Sequence, residues 1–587
     1  MSFTEIIGDL IDNTWGSMAL FEPELALCVT IVVMLLLRVF DGTRRIDSFW
    51  VALAGSFVAL LLVIKGIGQI DQQTIADGVE SIKAQTIFTE MLVYDSMTVF
   101  FRGLLMSFAV LFVIFTKISG IPDREDAADF YCLVLGSIIG MCLMVSANHL
   151  LIVFLGIEMA SVPSYVLVGM LRDNRKSSEA SLKYVIFGAG TAGVMLYGIS
   201  LLAGVLGSVH IPTMARNLAI LLQASGDALP QASVALALGG LMLMVGLAFK
   251  LSAVPFHFWC PDVFEGASAE VNAFLSVASK AAAMALLIRV AIGFSYISDL
   301  PQATIVEDNK AAATSSLAPE PGSTSPVSMS LMSVTEKSAA KDSSRRSLNI
   351  ALEDSRSFIV MLVGFLAMLT CTFGNLAAYA QTNVKRLMAY SSIAHAGYMM
   401  MAVAAAVHLS GVDTEAARSA VASLILYMSI YFFMNLGTFA IIAFLRNARL
   451  GEEIRDYAGL VYTSPGLAIC FVVILMSLIG MPPLGGFVGK FRIFAALYDA
   501  GSRGSPWLLF MLAVGGINTA ISLYYYLRLA KTMTIDEPPE DRLPVAVPIT
   551  SPGGVFVVLM TLPVVGLGIW WDTIHTWVLA AASGLMG

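Results

Sequence analysis

Residues 246–290 read GLAFKLSAVPFHFWCPDVFEGASAEVNAFLSVASKAAAMALLIRV, and the fold turns on how this stretch is read. Two apolar segments flank a proline-containing break. Lys250 stands at the end of the first segment and Lys280 inside the second. Between them lie Pro255, His257, Trp259, Pro261 and Asp262. A lysine at the centre of a spanning helix costs roughly 2.5–3.5 kcal/mol on insertion scales, so such a residue usually has a function. Two of them around a histidine and a proline-broken turn point to a site that holds and passes charge. The rest of the chain then reads as scaffold and partners for that site.

Composition agrees with a membrane setting. Of 587 residues, 57% are hydrophobic and only 13% charged, and mean hydropathy is +0.81. Soluble domains carry about 25% charged residues. The apolar runs have the length of a spanning helix, about 20 residues, rather than of the roughly 10-residue alternating strands of a barrel. Hydrocarbon offers no water to backbone groups, which leaves an all-α polytopic bundle. The cysteines Cys28, Cys132, Cys142, Cys260, Cys371 and Cys470 are scattered through apolar runs as expected of buried free thiols. Without CxxC or Cys/His spacing they give no support to zinc, iron–sulfur or haem sites. There is no GxGxxG after a strand and no P-loop, so no nucleotide site is visible. The net charge of −8 is spread over loops and implies no nucleic-acid partner. The opening MSFTEIIGDLIDNTW lacks the basic region of a cleaved signal, so the first apolar run is expected to be a retained span.

Fourteen transmembrane spans are expected, near 24–40, 48–65, 93–116, 129–147, 149–171, 181–207, 233–254, 272–298, 357–379, 387–409, 418–445, 464–482 continuing to 499, 506–531 and 554–580. Loops on one side carry sixteen Lys and Arg, including Arg44, Arg45, Arg172, Lys176 and Arg386, against five in the short loops of the other side. The positive-inside rule makes the first side cytoplasmic and places both termini outside. Residues 301–356 are rich in Ser, Ala and Pro and poor in aromatics, as in a flexible external loop. This loop divides the chain into an N-terminal segment (1–128), a first block (129–300), the loop itself, a second block (357–533) and a C-terminal helix (534–587). Each block holds a broken helix. Lys250 precedes Pro255 in the first, and LIGMPPLGGFVGKF precedes and includes Lys490 in the second. Interrupted helices in matching positions of two halves are the mark of inverted repeats.

Other ionisable groups fall inside apolar spans. Glu158 lies mid-span, where a lone carboxylate protonates or seeks a cation; Lys183 is the nearest candidate in sequence. Glu179 and Lys183 are spaced i,i+4 and share a helix face. Lys280 sits among Ala278, Ser279, Ala281, Ala282 and Ala283, small residues that permit close helix approach, so it faces the bundle interior. Desolvation makes such a lysine able to lose its proton. His257 titrates near neutrality and stands where it could relay a proton between the two lysines. His395, in YSSIAHAGY, has no evident partner. Asp95 and Arg102, spaced i,i+7, read as a structural pair or interfacial anchors.

Five stretches resemble a known family when taken in order: LGIEMASVPSYVLVGMLRDNRKSSEASLKYVIFGAG, FKLSAVPFHFWCPDVFEGA, GNLAAYAQTNVKRLMAYSSIAHAGY, MNLGTFA and GMPPLGGFVGKF. Together they resemble the antiporter-like membrane subunits of respiratory complex I (NADH:quinone oxidoreductase), most closely the N-type, subunit 2-like branch. SSEASLKYVIFGA and Lys280 favour that branch over the related L and M types. The resemblance implies a fourteen-helix core with two inverted five-helix repeats and broken helices seven and twelve. It also implies a line of protonatable groups across the membrane midplane, which falls here on Glu158 with Lys183, then Lys250, His257 and Lys280, then Lys490. This chain departs from the family in GASAEVNAF, which replaces a proline-containing run and adds Glu270, and in its long 301–356 loop.

By this resemblance the chain is a proton-translocating subunit in a bacterial inner membrane, bound to the other membrane subunits of the complex. It is expected to hold no cofactor itself; NADH, FMN, iron–sulfur clusters and quinone belong to other subunits. An intact Glu158–Lys183 pair would let Lys250 take a proton. Perturbing that pair would send the proton through His257 and Lys280 toward Lys490. The alternatives left open are a subunit of a multisubunit cation/proton antiporter and a purely structural role for the buried charges.

Overall fold

In a computed structural model the chain is described over residues 3–39, 46–67, 72–74, 80–123, 126–171, 174–223, 229–297, 345–448, 451–538 and 547–586. The apolar runs form helices because only intrahelical bonds satisfy their backbone in hydrocarbon. The first half contains α1 (Phe3–Ala19), α2 (Glu22–Val39), α3 (Ser48–Ile67), α4 (Ser96–Ser119), α5 (Ala127–Ser146), α6 (Leu150–Val168), α7 (Arg175–Leu206), α8 (Ile211–Gln223), α9 (Leu229–Leu251), α10 (Trp259–Gly266), α11 (Ala269–Ser276) and α12 (Ala278–Gly293). The second contains α13 (Glu353–Ala378), α14 (Val384–Leu409), α15 (Thr414–Asn447), α16 (Pro465–Ile479), α17 (Gly485–Ser502), α18 (Pro506–Thr534), α19 (Pro552–Ile569) and α20 (Asp572–Ser583). Their ends carry ordinary caps. Asp95, Asn174, Asn383 and Asp413 accept from first-turn amides of α4, α7, α14 and α15.

Twelve of the described helices are long and apolar enough to cross a membrane, or thirteen if α1 and α2, bent by 83°, make one span. The expected span 464–482 continuing to 499 falls on the broken pair α16–α17, whose apolar first part has 15 residues.

Three features differ from expectation. Residues 3–19 form a helix, and two antiparallel hairpins, Gln72–Thr74 with Glu80–Ile82 and Gln85–Ile87 with Leu92–Tyr94, precede α4. The expected loop 301–356 lies outside the described residues up to 344. Its last part, however, is helical over 345–351, and α13 starts at Glu353. Leu348, Ala351 and Leu352 pack on the core there, so this part has an apolar face that the Ser/Ala/Pro bias of the whole segment hides.

The middle of the molecule is built by the α11–α12 span, α14 and α15, whose spanning windows are 100%, 94% and 94% buried. Lys280 and His395 therefore lie behind a ring of other helices and away from lipid. Glycines bring α13 and α14 together beside His395. A Cβ added at Gly397 would stand 2.5 Å from the Cys371 backbone nitrogen, and one at Gly374 would stand 2.7 Å from that of Ala394.

Candidate functional site

Three buried lysines define the site, and none has a carboxylate at ion-pair distance among the described residues. Lys250 ends α9, where the helix stops because Ser252 takes a left-handed φ of +58° and the seven residues Ser252–Phe258 turn before α10 begins. Its Nζ donates to Ser161 Oγ at 3.0 Å. Ser161 lies one turn after Glu158 on α6, so the lysine head stands beside the Glu158 face and the two charges interact. The break satisfies its freed backbone internally: Trp259 Nε1 donates to the Phe249 carbonyl at 3.2 Å, and the Val254 amide donates to Thr370 Oγ1 at 3.0 Å.

Lys280 lies in the first turn of α12. Its Nζ donates to both the backbone O and the Oγ of Ser392, each at 2.9 Å. Lys490 follows the second break, where Gly480 has φ +94°. Its Nζ donates at 3.0 Å to the carbonyls of Leu478 and Ile479, the free carbonyl end of α16, and lies 4.5 Å from the Tyr398 ring centroid.

One helix connects the last two lysines. Ser392, His395 and Tyr398 follow at intervals of three along α14. Ser392 holds Lys280 and Tyr398 faces Lys490. His395 lies between them, fully enclosed, and hydrogen-bonds through Nδ1 to Tyr427 OH and through Nε2 to Tyr526 OH at 3.1 Å. Tyr526 OH also bonds Ser391 Oγ. The one-sided run Ser392–His395–Tyr398 is a signal present in the sequence. The tyrosines that complete it come from α15 and α18 and are not.

Three expected pairings are corrected. No ion pair forms between Glu158 and Lys183 among the described residues. Lys183 lies toward the end of its span, 39% exposed, and bonds Glu179 at 2.9 Å and Asp262 at 2.7 Å. A lysine with two carboxylates at bonding distance has no need of a mid-span partner. His257 does not bridge Lys250 and Lys280. The turn directs its ring against Phe258 and Phe373, each at 4.5 Å, and its Nδ1 meets no side chain at hydrogen-bond distance among the described residues. Asp95 and Arg102 do not pair with each other, because seven residues separate them by about 10 Å along a helix axis. Instead Asp95 receives both Nη atoms of Arg289, at 2.9 and 3.0 Å, and Arg102 pairs with Glu24 at 2.7 Å. Glu270, the added acid, is buried and bonds Arg446 at 2.9 and 3.2 Å. No group of three or more His, Cys, Asp or Glu among the described residues is placed to hold a metal.

Comparison with known proteins follows this geometry. The family model described as NADH:quinone oxidoreductase/Mrp antiporter, TM, matches residues 147–305 and 318–522. The chain belongs to this family. Among its relatives, NADH-quinone oxidoreductase subunit N of Anaeromyxobacter sp. (strain Fw109-5) is 34% identical over 98% of this chain and 99% of its own. NADH-quinone oxidoreductase subunit N 2 of Sorangium cellulosum is 35% identical over the same shares. Among solved structures, a chain of respiratory complex I from Thermus thermophilus with bound aureothin matches with TM-score 0.64 and 27% identity, covering 94% of this chain and 98% of that one. A chain of the Mrp complex from Dietzia sp. DQ12-45-1b, at TM-score 0.63 and 16% identity over 98% of this chain and 95% of that one, shares the fold.

Proposed function

We propose that the chain is the proton-translocating N-type membrane subunit of a bacterial NADH:quinone oxidoreductase. In this reading it lies in the inner membrane with the Asp262 side toward the cytoplasm, both termini outside, and redox cofactors confined to partner subunits. The observation that carries the reading is the series of three enclosed lysines bonded only to neutral groups, two of them joined through the His395 face of α14. A lysine with a fixed counter-ion holds its proton, whereas one whose partners are hydroxyls and carbonyls can give it up. The Ser161 and Ser392 hydroxyls donate their own protons to the Ile157 and Ala389 carbonyls, so they can donate to a neutral Lys250 or Lys280 only by turning away from those carbonyls.

Glu158 supplies the bias. No carboxylate stands at ion-pair distance of Lys250 among the described residues, so its interaction with Glu158 is weaker than the roughly 4 kcal/mol of two unit charges about 4 Å apart at an effective dielectric of about 20. A charge change at Glu158, imposed by a neighbouring subunit, biases Lys250 toward loading or unloading. The proton then passes to Lys280, across the Ser392–His395–Tyr398 face and on to Lys490. Lys183 acts at the cytoplasmic edge through Asp262. His257 is assigned to the hinge of the first break.

The test is to purify the native complex through a tag on this chain and to measure NADH:quinone reduction and proton pumping with Lys250→Ala, Lys280→Ala and Lys490→Ala. Loss of pumping in each supports the reading. Full quinone reduction with full pumping in all three sinks it. Sodium-linked proton flux without NADH, from a preparation lacking flavin and iron–sulfur proteins, would assign the chain to the antiporter branch.

A further inference from the structure

Where α10 passes between α7 and α14, two carboxylates are each shared by two cations from opposite sides. Asp262 and Glu265 are spaced i,i+3 on α10. Asp262 Oδ2 accepts from Lys183 Nζ on α7 at 2.7 Å, and its Oδ1 accepts from Arg386 Nη1 on α14 at 2.8 Å. Glu265 Oε1 accepts from Lys176 Nζ on α7 at 2.8 Å, and its Oε2 accepts from the same Arg386 Nη1, also at 2.8 Å. Glu179 adds a second acid to Lys183 at 2.9 Å. Arg386 is aimed by Gln381 Oε1, which accepts from its Nε at 3.3 Å. Next to it Lys385, buried, donates to the Ala267 carbonyl just past the end of α10 at 3.0 Å and pairs with Glu452 at 2.8 Å. The short helix after the first break is thus held by α7 of its own half and by α14 of the other half, through opposite oxygens of the same two acids.

The strength of this arrangement suits a movable connection. The shared acids and Arg386 are about 30% exposed or less. Ion pairs that reach solvent are screened and contribute less than enclosed ones, so a shift from one cation to the other costs less than breaking an enclosed pair. A fully enclosed pair, such as Asp95–Arg289, loses roughly 3–5 kcal/mol when broken and serves as a fixed joint instead. Six residues along α14 from Arg386 stands Ser392, whose carbonyl and hydroxyl are the whole observed grip on Lys280.

We propose that Arg386, acting through Asp262 and Glu265, is a positioning residue for proton transfer. It ties the helix that follows Lys250 to the helix that holds Lys280, so that a change at one lysine is felt in the bonding of the other. This rests on the proton-translocation reading above. No bond other than hydrogen bonds changes in the step; Arg386 exchanges its share of Asp262 with Lys183 and its share of Glu265 with Lys176 while the proton moves elsewhere.

The experiment uses the complete complex in vesicles and reads protons moved per electron, with Lys280→Ala as the reference. Arg386→Gln is expected to lower the ratio at least twofold in assembled complex. Arg386→Lys, with a single ammonium that retains the charge but not the guanidinium fork, is expected to recover part of it. Raising salt on the Asp262 side is expected to lower the ratio of the wild type and to leave that of Arg386→Gln unmoved, because screening acts on the pair the variant already lacks. Asp262→Asn provides the same readout should Arg386→Gln fail to assemble. A wild-type ratio insensitive to salt, together with a full ratio in Arg386→Gln or Asp262→Asn, overturns the proposal. If Lys250→Ala, Lys280→Ala and Lys490→Ala all pump normally, the translocation reading falls and this inference falls with it; if Lys280→Ala is defective while Arg386→Gln and Asp262→Asn are not, this inference alone is wrong.

Discussion

Lys280 shows most directly how burial and function oppose each other at a single residue. Enclosing an ammonium costs several kcal/mol, and the two Ser392 acceptors return only part of it. Lys280→Met keeps the length and removes the charge. It is expected to leave the thermal midpoint of the detergent-purified complex equal or higher while proton pumping falls at least tenfold. Lower stability with intact pumping would show the lysine to be structural. At this scale much was legible in the sequence, because a lysine inside a run of alanines is anomalous wherever it occurs. Partner identity was less so. Glu158 and Lys183 are 25 residues apart in the chain, and only the packing of α10 against α7 shows that Lys183 belongs to Asp262. His395 had no visible partner for a similar reason: Tyr427 and Tyr526 lie 32 and 131 residues away.

At the scale of elements, helices were readable and their contacts were not. Both breaks follow from proline and glycine placement, and both appear where expected. The direction in which a break turns its side chains depends on the neighbouring helix, so His257 faces Phe373 and not a lysine. The close crossing of α13 and α14 illustrates the same limit. Gly397→Val would place carbon within 2.5 Å of the Cys371 backbone and force the helices apart. Overpacking of this kind costs typically 1–3 kcal/mol. The variant is expected to lower the melting midpoint and, by moving the turn that carries His395, to lower pumping as well; Gly190→Val, where a Cβ meets nothing within 4 Å, is the control that should leave the midpoint in place. A second element-scale prediction concerns the turn between α7 and α8. His210 bonds Asn148 at 2.9 Å and Thr213 at 2.8 Å, and burial pushes its pKa below the usual histidine value. The folded form therefore prefers the neutral ring. Its contribution to stability is present above the unfolded value of about 6.5 and is lost as pH falls through it toward the lower folded value. Melting followed from pH 7.5 to 5 should show this loss, and His210→Gln should reduce its slope; an unchanged slope would rule the ring out.

For the molecule as a whole, the decisive matter is whether Lys250, Lys280 and Lys490 form one route or three independent features. Residues far apart without shared partners have additive effects on stability, whereas groups that work as a unit do not. Lys250 and Lys490 stand at breaks in different halves; the Ser392–His395–Tyr398 face of α14 joins Lys280 to Lys490, while Lys250 bonds Ser161 of α6 and reaches that face only in the proposed route. A route in series fails entirely when any member is lost, so Lys250→Ala/Lys490→Ala should pump no less than either single variant. The same double variant should show thermal effects that simply add, because the two sites share no contact. His395→Phe, which keeps an aromatic ring and removes both nitrogens, should match the single lysine variants in pumping. Rates that multiply in the double variant, or full pumping in His395→Phe, would mean that the halves carry protons separately and that α14 is only a scaffold between them. The measurement reads a functional coupling against a structural one in the same preparations, and it bears on the arrangement that composition alone could not disclose: Lys280 of one half and Lys490 of the other standing on one face of α14.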